Sequence, residues 1–557
     1  MKKIACLFFF FLSLQLMVAQ TSTVYLVFFT DKNANQYSIN YPSGYLSEKA
    51  IIRRTKQNIP ITTSDLPVNS TYVDAVKKIG VTVISKSKWL NAITVASQDI
   101  NKIDAIRALF FVKEIKIITT TTTSKFSNKI ELESKTMPAP PERSDIIPVG
   151  TALDYGQSYK QANQIGVDCF HNLNYQGQGM IIAELDAGFY KVDSLPAFDS
   201  LRKNNQLLGT YDFVTGGTKV FEDHTHGMNT LSCMVGNLPG RLVGTAPKAS
   251  YWLLRTEEGA TESLQEEINW LMGAEFADSV GADVINSSLG YSIFDNAADN
   301  HSYSDLDGNT TIITKAADMA ASKGIFVVSS AGNSGGPPWY KITAPADADS
   351  ILTVGAVDSV GVVATFSSRG LTSDGRIKPN VVARGVQAVC ASQFGGVWKQ
   401  SGTSFSSPIT AGAVACLWQA HPGLTNMQIL NAIQQSASQY TMPDSIQGYG
   451  IPNFCIANML LSGIDVHKMN EEEKLNVFPN PFKNNFDIIF YSDKKQIIQF
   501  ALYDISGRCL FNEKETMVSA NSYTRFNSTD SETLASGIYL LRLVTPSKVY
   551  YKKLVKE

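Results

Sequence analysis

Between about residue 150 and residue 463 the chain repeats one pattern. A short, continuous apolar run stops in small polar residues, and a longer stretch with helical periodicity follows. The runs are MIIAELDAG (180–188), SYWLLRT (250–256), ADVINSSLG (282–290), GIFVVSSAGN (324–333) and ILTVGAVD (351–358). They are rich in β-branched residues and leucine, without polar–apolar alternation. A strand that is apolar on both faces must be covered on both faces. Helical stretches such as SLQEEINWLMGAEFADSVG (263–281) supply that cover, so the pattern predicts an α/β fold with a doubly wound, mainly parallel sheet. Function in such a sheet collects at the carboxyl ends of the strands. The polar residues that end the runs are therefore the first to inspect.

Three strand or helix termini fall in a telling order. Asp186 ends IIAELD and is followed by Ala187-Gly188. His226 stands in EDHTHGMNTLSCMVG, where an apolar helical pattern begins, and Ser404 stands in SGTSFSSP, before a run of small apolar residues. A serine hydroxyl is a poor nucleophile until an imidazole accepts its proton. A carboxylate on the other ring nitrogen fixes the tautomer and stabilises the imidazolium. A serine at a helix start also has an unsatisfied backbone N–H that can face an oxyanion. Asn333, in SSAGNSGG (329–336), is the expected second oxyanion donor. His224 is a rival to His226; the following Gly227 and the onset of the helix favour His226. Ser401, Ser406 and Ser407 are each eligible as the helix cap. Only Ser404 follows the small pair Gly402-Thr403 that a crowded nucleophile turn requires. Pro408 is expected within the first turn, where a missing N–H costs least.

With these motifs in place the chain resembles the subtilisin family of serine peptidases. IIAELDAGF carries the aspartate, HTHGMN the histidine, SSAGNSG the asparagine and SGTSFSSP the serine; VGTAPKAS, DVINSSLG, FSSRG, IKPNVVA and QGYGIPN support them. The resemblance spans roughly residues 150–463. It implies a seven-stranded parallel sheet, endopeptidase activity on proteins or peptides, and substrate bound as an added strand beside SSLGY (287–291). That makes Ser288, Leu289 and Gly290 the substrate-binding positions. Three departures stand out: Met228 in place of a threonine after His-Gly, Arg384 in place of a proline, and Tyr291 where a glycine is frequent. No cofactor is implied. The resemblance allows a structural calcium ion, but YSDLDGNT (303–310) reads as a turn, because the first and twelfth positions of a calcium loop would be Tyr303 and Thr314.

The flanks read differently. MKKIACLFFFFLSLQLMVAQ has the charge, the short apolar run and the small residues of a signal peptide (1–19), with a membrane anchor as the alternative. Residues 20–118 pattern as a small α+β unit. They resemble the inhibitory propeptides of the same family, and LSEKAIIRRTKQNI is similar to secreted subtilases of Bacteroidetes-type bacteria; a retained binding domain is the other reading. A Thr-, Ser- and Pro-rich linker (119–149) follows. After a polar break (464–475), residues 476–557 alternate at strand period and predict a small β-sandwich. NVFPNPF, LYDISGR and LASGIYLLRL resemble the sorting domains read by the type IX secretion machinery, against a carbohydrate-binding sandwich. Together these segments imply a protein secreted or held on the outer cell surface.

With a formal net charge of −2 the chain offers no basic footprint for nucleic acid. Six cysteines remain after the signal peptide, with pairing open among 15 connectivities; Cys233 and Cys416, in apolar helical runs, read as unpaired packing thiols. A lipase is disfavoured because Ser406 stands where its elbow needs glycine and because its serine comes first in the chain. The remaining alternative is a catalytically inactive surface adhesin on the same scaffold.

Overall fold

The computed structural model describes residues 23–120, 153–462, 474–492, 494–512, 515–518, 522–528 and 531–557. The expected signal peptide and most of the two expected linkers lie outside these residues.

The central sheet has seven strands in the order Val381–Arg384, Leu352–Val357, Phe326–Ser330, Val284–Ser287, Ile181–Asp186, Ser250–Arg255 and Leu207–Asp212. Every neighbouring pair is parallel. The register sets Ser287 opposite both Leu185 and Ser329, and Asp186 opposite Arg255. Four strands thus end along one edge. Alternation along the strands divides the core in two. Ala183, Leu185, Ile285 and Val327 face helices Leu264–Val280 and Ile312–Ser322. Ile182, Val284, Phe326 and Val328 face helices His226–Val235 and Thr403–Ala420. These last two are sunk in the core: every residue of the first is buried, and every residue of the second from Thr403 to Trp418.

The strand Leu207–Asp212 escapes a reading by apolar runs because it is a half-exposed edge strand of mixed polarity. A hairpin of Ala388–Ala391 with Val397–Gln400 also lies outside the main sheet.

Residues 23–120 form an antiparallel sheet ordered Thr82–Ser87, Ala92–Ser97, Thr23–Phe29, Val112–Thr120. Helices Ser70–Lys78 and Ile100–Arg107 cover one face through Val73, Val76, Ile103 and Ile106. The other face sets Val24, Leu26, Ala92 and Ile118 against Ile268 of the helix Leu264–Val280. At the far end of the chain, a three-stranded and a five-stranded sheet enclose Ile488, Phe490, Phe500, Leu502, Leu541 and Leu554. One disulfide, Cys169–Cys455, joins positions 286 residues apart. Cys233, Cys390 and Cys416 are buried free thiols, and Cys509 is exposed.

Candidate active site

Asp186 is the last residue of its strand and is fully buried. Its Oδ1 accepts the Ala187 N–H at 2.7 Å. His226 opens its helix, and its Nδ1 lies 2.8 Å from Asp186 Oδ1 and 3.0 Å from Oδ2. Gly227 is what allows this approach. A Cβ there would stand 2.4 Å from Gly188 O and 2.9 Å from Asp186 Cβ. His224 also has a place: its Nδ1 accepts the backbone N–H of His226 at 3.1 Å, one of the donors a helix start leaves over. Burial, and then the neighbouring His226, pull the His224 pKa down, in keeping with a neutral acceptor.

Ser404 is the second residue of the helix Thr403–Ala420 and is buried. Phe405, next in the chain, holds its ring 6.5 Å centroid to centroid from the His226 imidazole, so the two helices meet at their N-terminal ends. Ser404 Oγ donates to Ser288 O at 3.3 Å. Asn333 lies three residues beyond the strand Phe326–Ser330. Its Oδ1 accepts from Thr403 N at 2.8 Å and from Thr403 Oγ1 at 3.0 Å. Two donors on one oxygen set the rotation of the amide and turn its nitrogen toward Gly402, whose hypothetical Cβ would stand 3.5 Å away.

The helix start differs from expectation in two ways. None of Ser401, Ser406 and Ser407 is the cap; Gly402 holds that position with no side-chain bond. Ser401 Oγ accepts from Gln387 N, Ser406 Oγ donates to Thr403 O, and Ser407 Oγ donates to Asn286 Oδ1. Nor does Pro408 fall in the first turn. The helix begins at Thr403, so Pro408 is its sixth residue and lies inside it. There it deprives the Ser404 carbonyl of its usual helical donor. Ser288 Oγ takes over that bond at 2.9 Å.

Ser288 and Leu289 are buried and Gly290 is half-buried, where a Cβ would meet Thr343 Oγ1 at 2.1 Å. Tyr291 turns inward: its backbone exchanges two hydrogen bonds with Ala344, and its hydroxyl donates to Glu257. Met228 packs in the core, and Arg384 Nη2 donates to Gln387 O in the turn that leads to the hairpin. In YSDLDGNT, Asp307 accepts from Asn309 N and Thr310 Oγ1 of its own turn. Among the described residues no group of three or more His, Cys, Asp or Glu side chains is arranged to hold a metal ion.

Residues 168–450 match the subtilase family of peptidases, residues 24–135 the peptidase S8 propeptide domain of Bacteroidota, and residues 476–557 the secretion system C-terminal sorting domain. Subtilisin E of Bacillus subtilis (strain 168) is 29% identical over 294 residues, 52% of this chain and 68% of its own. The serine protease AprX of the same strain is 27% identical over 307 residues, 50% of this chain and 65% of its own. Among solved structures, the prenylagaramide maturation protease PagA aligns with a TM-score of 0.42 and 24% identity, over 54% of this chain and 99% of that one. The chain belongs to the subtilase family. It is a serine-type endopeptidase carrying a propeptide domain, and its sorting domain marks it as secreted or held at the cell surface. No helix among the described residues is long and apolar enough to cross a membrane.

Proposed function

We propose that this chain cleaves peptide bonds through an acyl-enzyme on Ser404. His226 is the general base and Asp186 its orienting carboxylate; the Asn333 amide and the Ser404 backbone N–H are the oxyanion donors. The observation that carries the reading is the pair of contacts between Asp186 and His226 Nδ1. A buried carboxylate on Nδ1 selects the tautomer whose lone pair sits on Nε2, the atom that takes the serine proton and later returns it to the leaving amine. Substrate lies extended beside Ser288, Leu289 and Gly290, where backbone pairing supplies affinity without regard to side chains. The propeptide domain holds the precursor inactive, and the type IX secretion machinery reads the tail.

The test is Ser404→Ala in the full-length precursor. It abolishes peptide hydrolysis and labelling by a serine-directed phosphonate, and if maturation is self-catalysed it leaves the propeptide uncut. Ordinary turnover by that variant overturns the assignment.

A further inference from the structure

Glu184 interrupts the apolar run IIAELD two residues before Asp186. Residues two apart on a strand share a face, so both carboxyls point toward the histidine and serine helices. Glu184 is fully buried. Among the described residues no lysine or arginine hydrogen-bonds to it or pairs with it. The titratable groups around it are Asp186 on its own strand, His226 and Cys233 on the histidine helix, and Tyr251 on the adjacent strand.

Its polar contacts reach every element of the proposed triad. Oε1 lies 2.8 Å from Oγ1 of Thr230, one turn past His226. The same Thr230 oxygen lies 3.2 Å from Asp186 Oδ2 and 3.1 Å from Gly227 O. Glu184 Oε2 accepts from Asn286 Nδ2 at 2.9 Å. That amide also donates to Ser288 Oγ at 3.2 Å and accepts from Ser407 Oγ at 2.7 Å. Ser288 in turn donates to the Ser404 carbonyl.

Counting protons settles the direction of this chain. A threonine hydroxyl has one proton to give. Were Glu184 ionised, two carboxylates would compete for it, and two like charges would share one dry face of the sheet. With a proton on Glu184 Oε1 every group is satisfied: Oε1–H donates to Thr230 Oγ1, Thr230 donates to Asp186 Oδ2, and Oε2 still accepts from Asn286. Burial, and then the charge of Asp186, push the Glu184 carboxyl well above the usual carboxylate range.

We propose that Glu184 is a positioning residue of the active site, a neutral carboxylic acid that steadies Asp186 through Thr230 and the Ser404 turn through Asn286. This rests on the triad reading above. It leaves Asp186 as the one negative charge beside the imidazole.

Two substitutions and one spectroscopic measurement test it. Glu184→Gln preserves the pattern, because its amide nitrogen can donate to Thr230 and its oxygen can accept from Asn286. Matured from the full chain, this variant keeps kcat/KM within about threefold, and the acid limb of its pH profile does not move. Glu184→Leu removes the partner that links Thr230 to Asn286 and lowers kcat by on the order of 10²-fold, with KM little changed. The carbonyl stretch of a protonated carboxylic acid, read by infrared difference between full-length Ser404→Ala and Ser404→Ala/Glu184→Gln at about pH 8, is present in the first and missing from the second. That reading needs no turnover, so it stands even if Glu184→Leu does not fold. Absence of the band, or an acid limb displaced in Glu184→Gln, overturns the proposal. Hydrolysis by Ser404→Ala overturns the triad reading instead, and leaves the band unaffected.

Discussion

Asn333 shows how narrowly one residue's task is defined by its neighbours. Thr403 holds its Oδ1 with two donors, so the amide nitrogen presents itself without having to reorganise. Preorganised donors of this kind act on charge that develops only in the transition state. Asn333→Ala is therefore expected to lower kcat by about 10²–10³-fold and leave KM nearly unchanged. Steady-state kinetics on a peptide substrate decide it; a raised KM with an unchanged kcat would assign Asn333 to ground-state binding. Thr403→Val keeps the backbone N–H bond to Asn333 and loses the hydroxyl's, along with the acceptor of the Gly332 N–H, so its effect is smaller and in the same direction. Gly227 is less forgiving, because a Cβ introduced there would collide with Gly188 O and Asp186 at once.

At the scale of the element, the serine helix depends on a compensation between two segments. Pro408 withholds the N–H that Ser404 O would otherwise receive, and the Ser288 hydroxyl supplies a donor from the end of the central strand. Ser288→Ala leaves a buried carbonyl without that donor, a loss of about 1–3 kcal/mol. Pro408→Ala restores a helical donor, so the double variant regains part of that loss. Thermal unfolding of both singles and the double forms a cycle, and strict additivity contradicts the compensation. This pairing also marks the limit of reading by sequence. The strand runs and their polar ends were legible, because a parallel strand covered on both faces must be apolar throughout and must place its polar groups at its tip. Asp186 and Asn333 stood out for that reason, and His226 and Ser404 because each stands where an apolar helical run begins. The sixth-residue position of Pro408 was not legible, since Gly402 caps the helix without a side-chain signal. Thr230 and Asn286 read as ordinary core-helix and strand residues, and only their contacts across the sheet give them a task. Glu184 did leave a trace, a charged residue inside an otherwise apolar buried run.

At the scale of the whole molecule, the propeptide domain is fastened by charge as well as by apolar contact. Asp278, on the helix Leu264–Val280, receives Arg53 Nη2 at 2.6 Å and Arg54 Nη2 at 2.7 Å on Oδ1, and Lys88 Nζ at 2.9 Å on Oδ2. One helical turn earlier, Glu275 accepts from Ser87 Oγ and from the backbone of Lys88 and Trp89. A buried ion cluster adds little over a well-packed apolar one, but removing one partner strands the others at about 3–5 kcal/mol. Asp278→Asn is thus expected to weaken retention of the cleaved propeptide by about two to four orders of magnitude. The response to pH follows from the sign of each shift. Burial pushes Asp278 up, but Lys88, Arg53 and Arg54 overcome it and hold the carboxyl well below the usual range. Its contribution is therefore complete above the ordinary carboxylate pKa of about 4 and is lost only as pH falls below that. Glu275, raised by burial, takes up protons on docking, so mild acid strengthens its share of the hold. The cleaved propeptide accordingly stays bound from neutral pH down to about pH 5, and size-exclusion chromatography across that interval reads it directly. Release on mild acidification would contradict the signs worked out for Asp278 and Glu275, and undiminished retention in Asp278→Asn would show that the apolar contacts of Val24, Leu26 and Ile118 carry the docking instead.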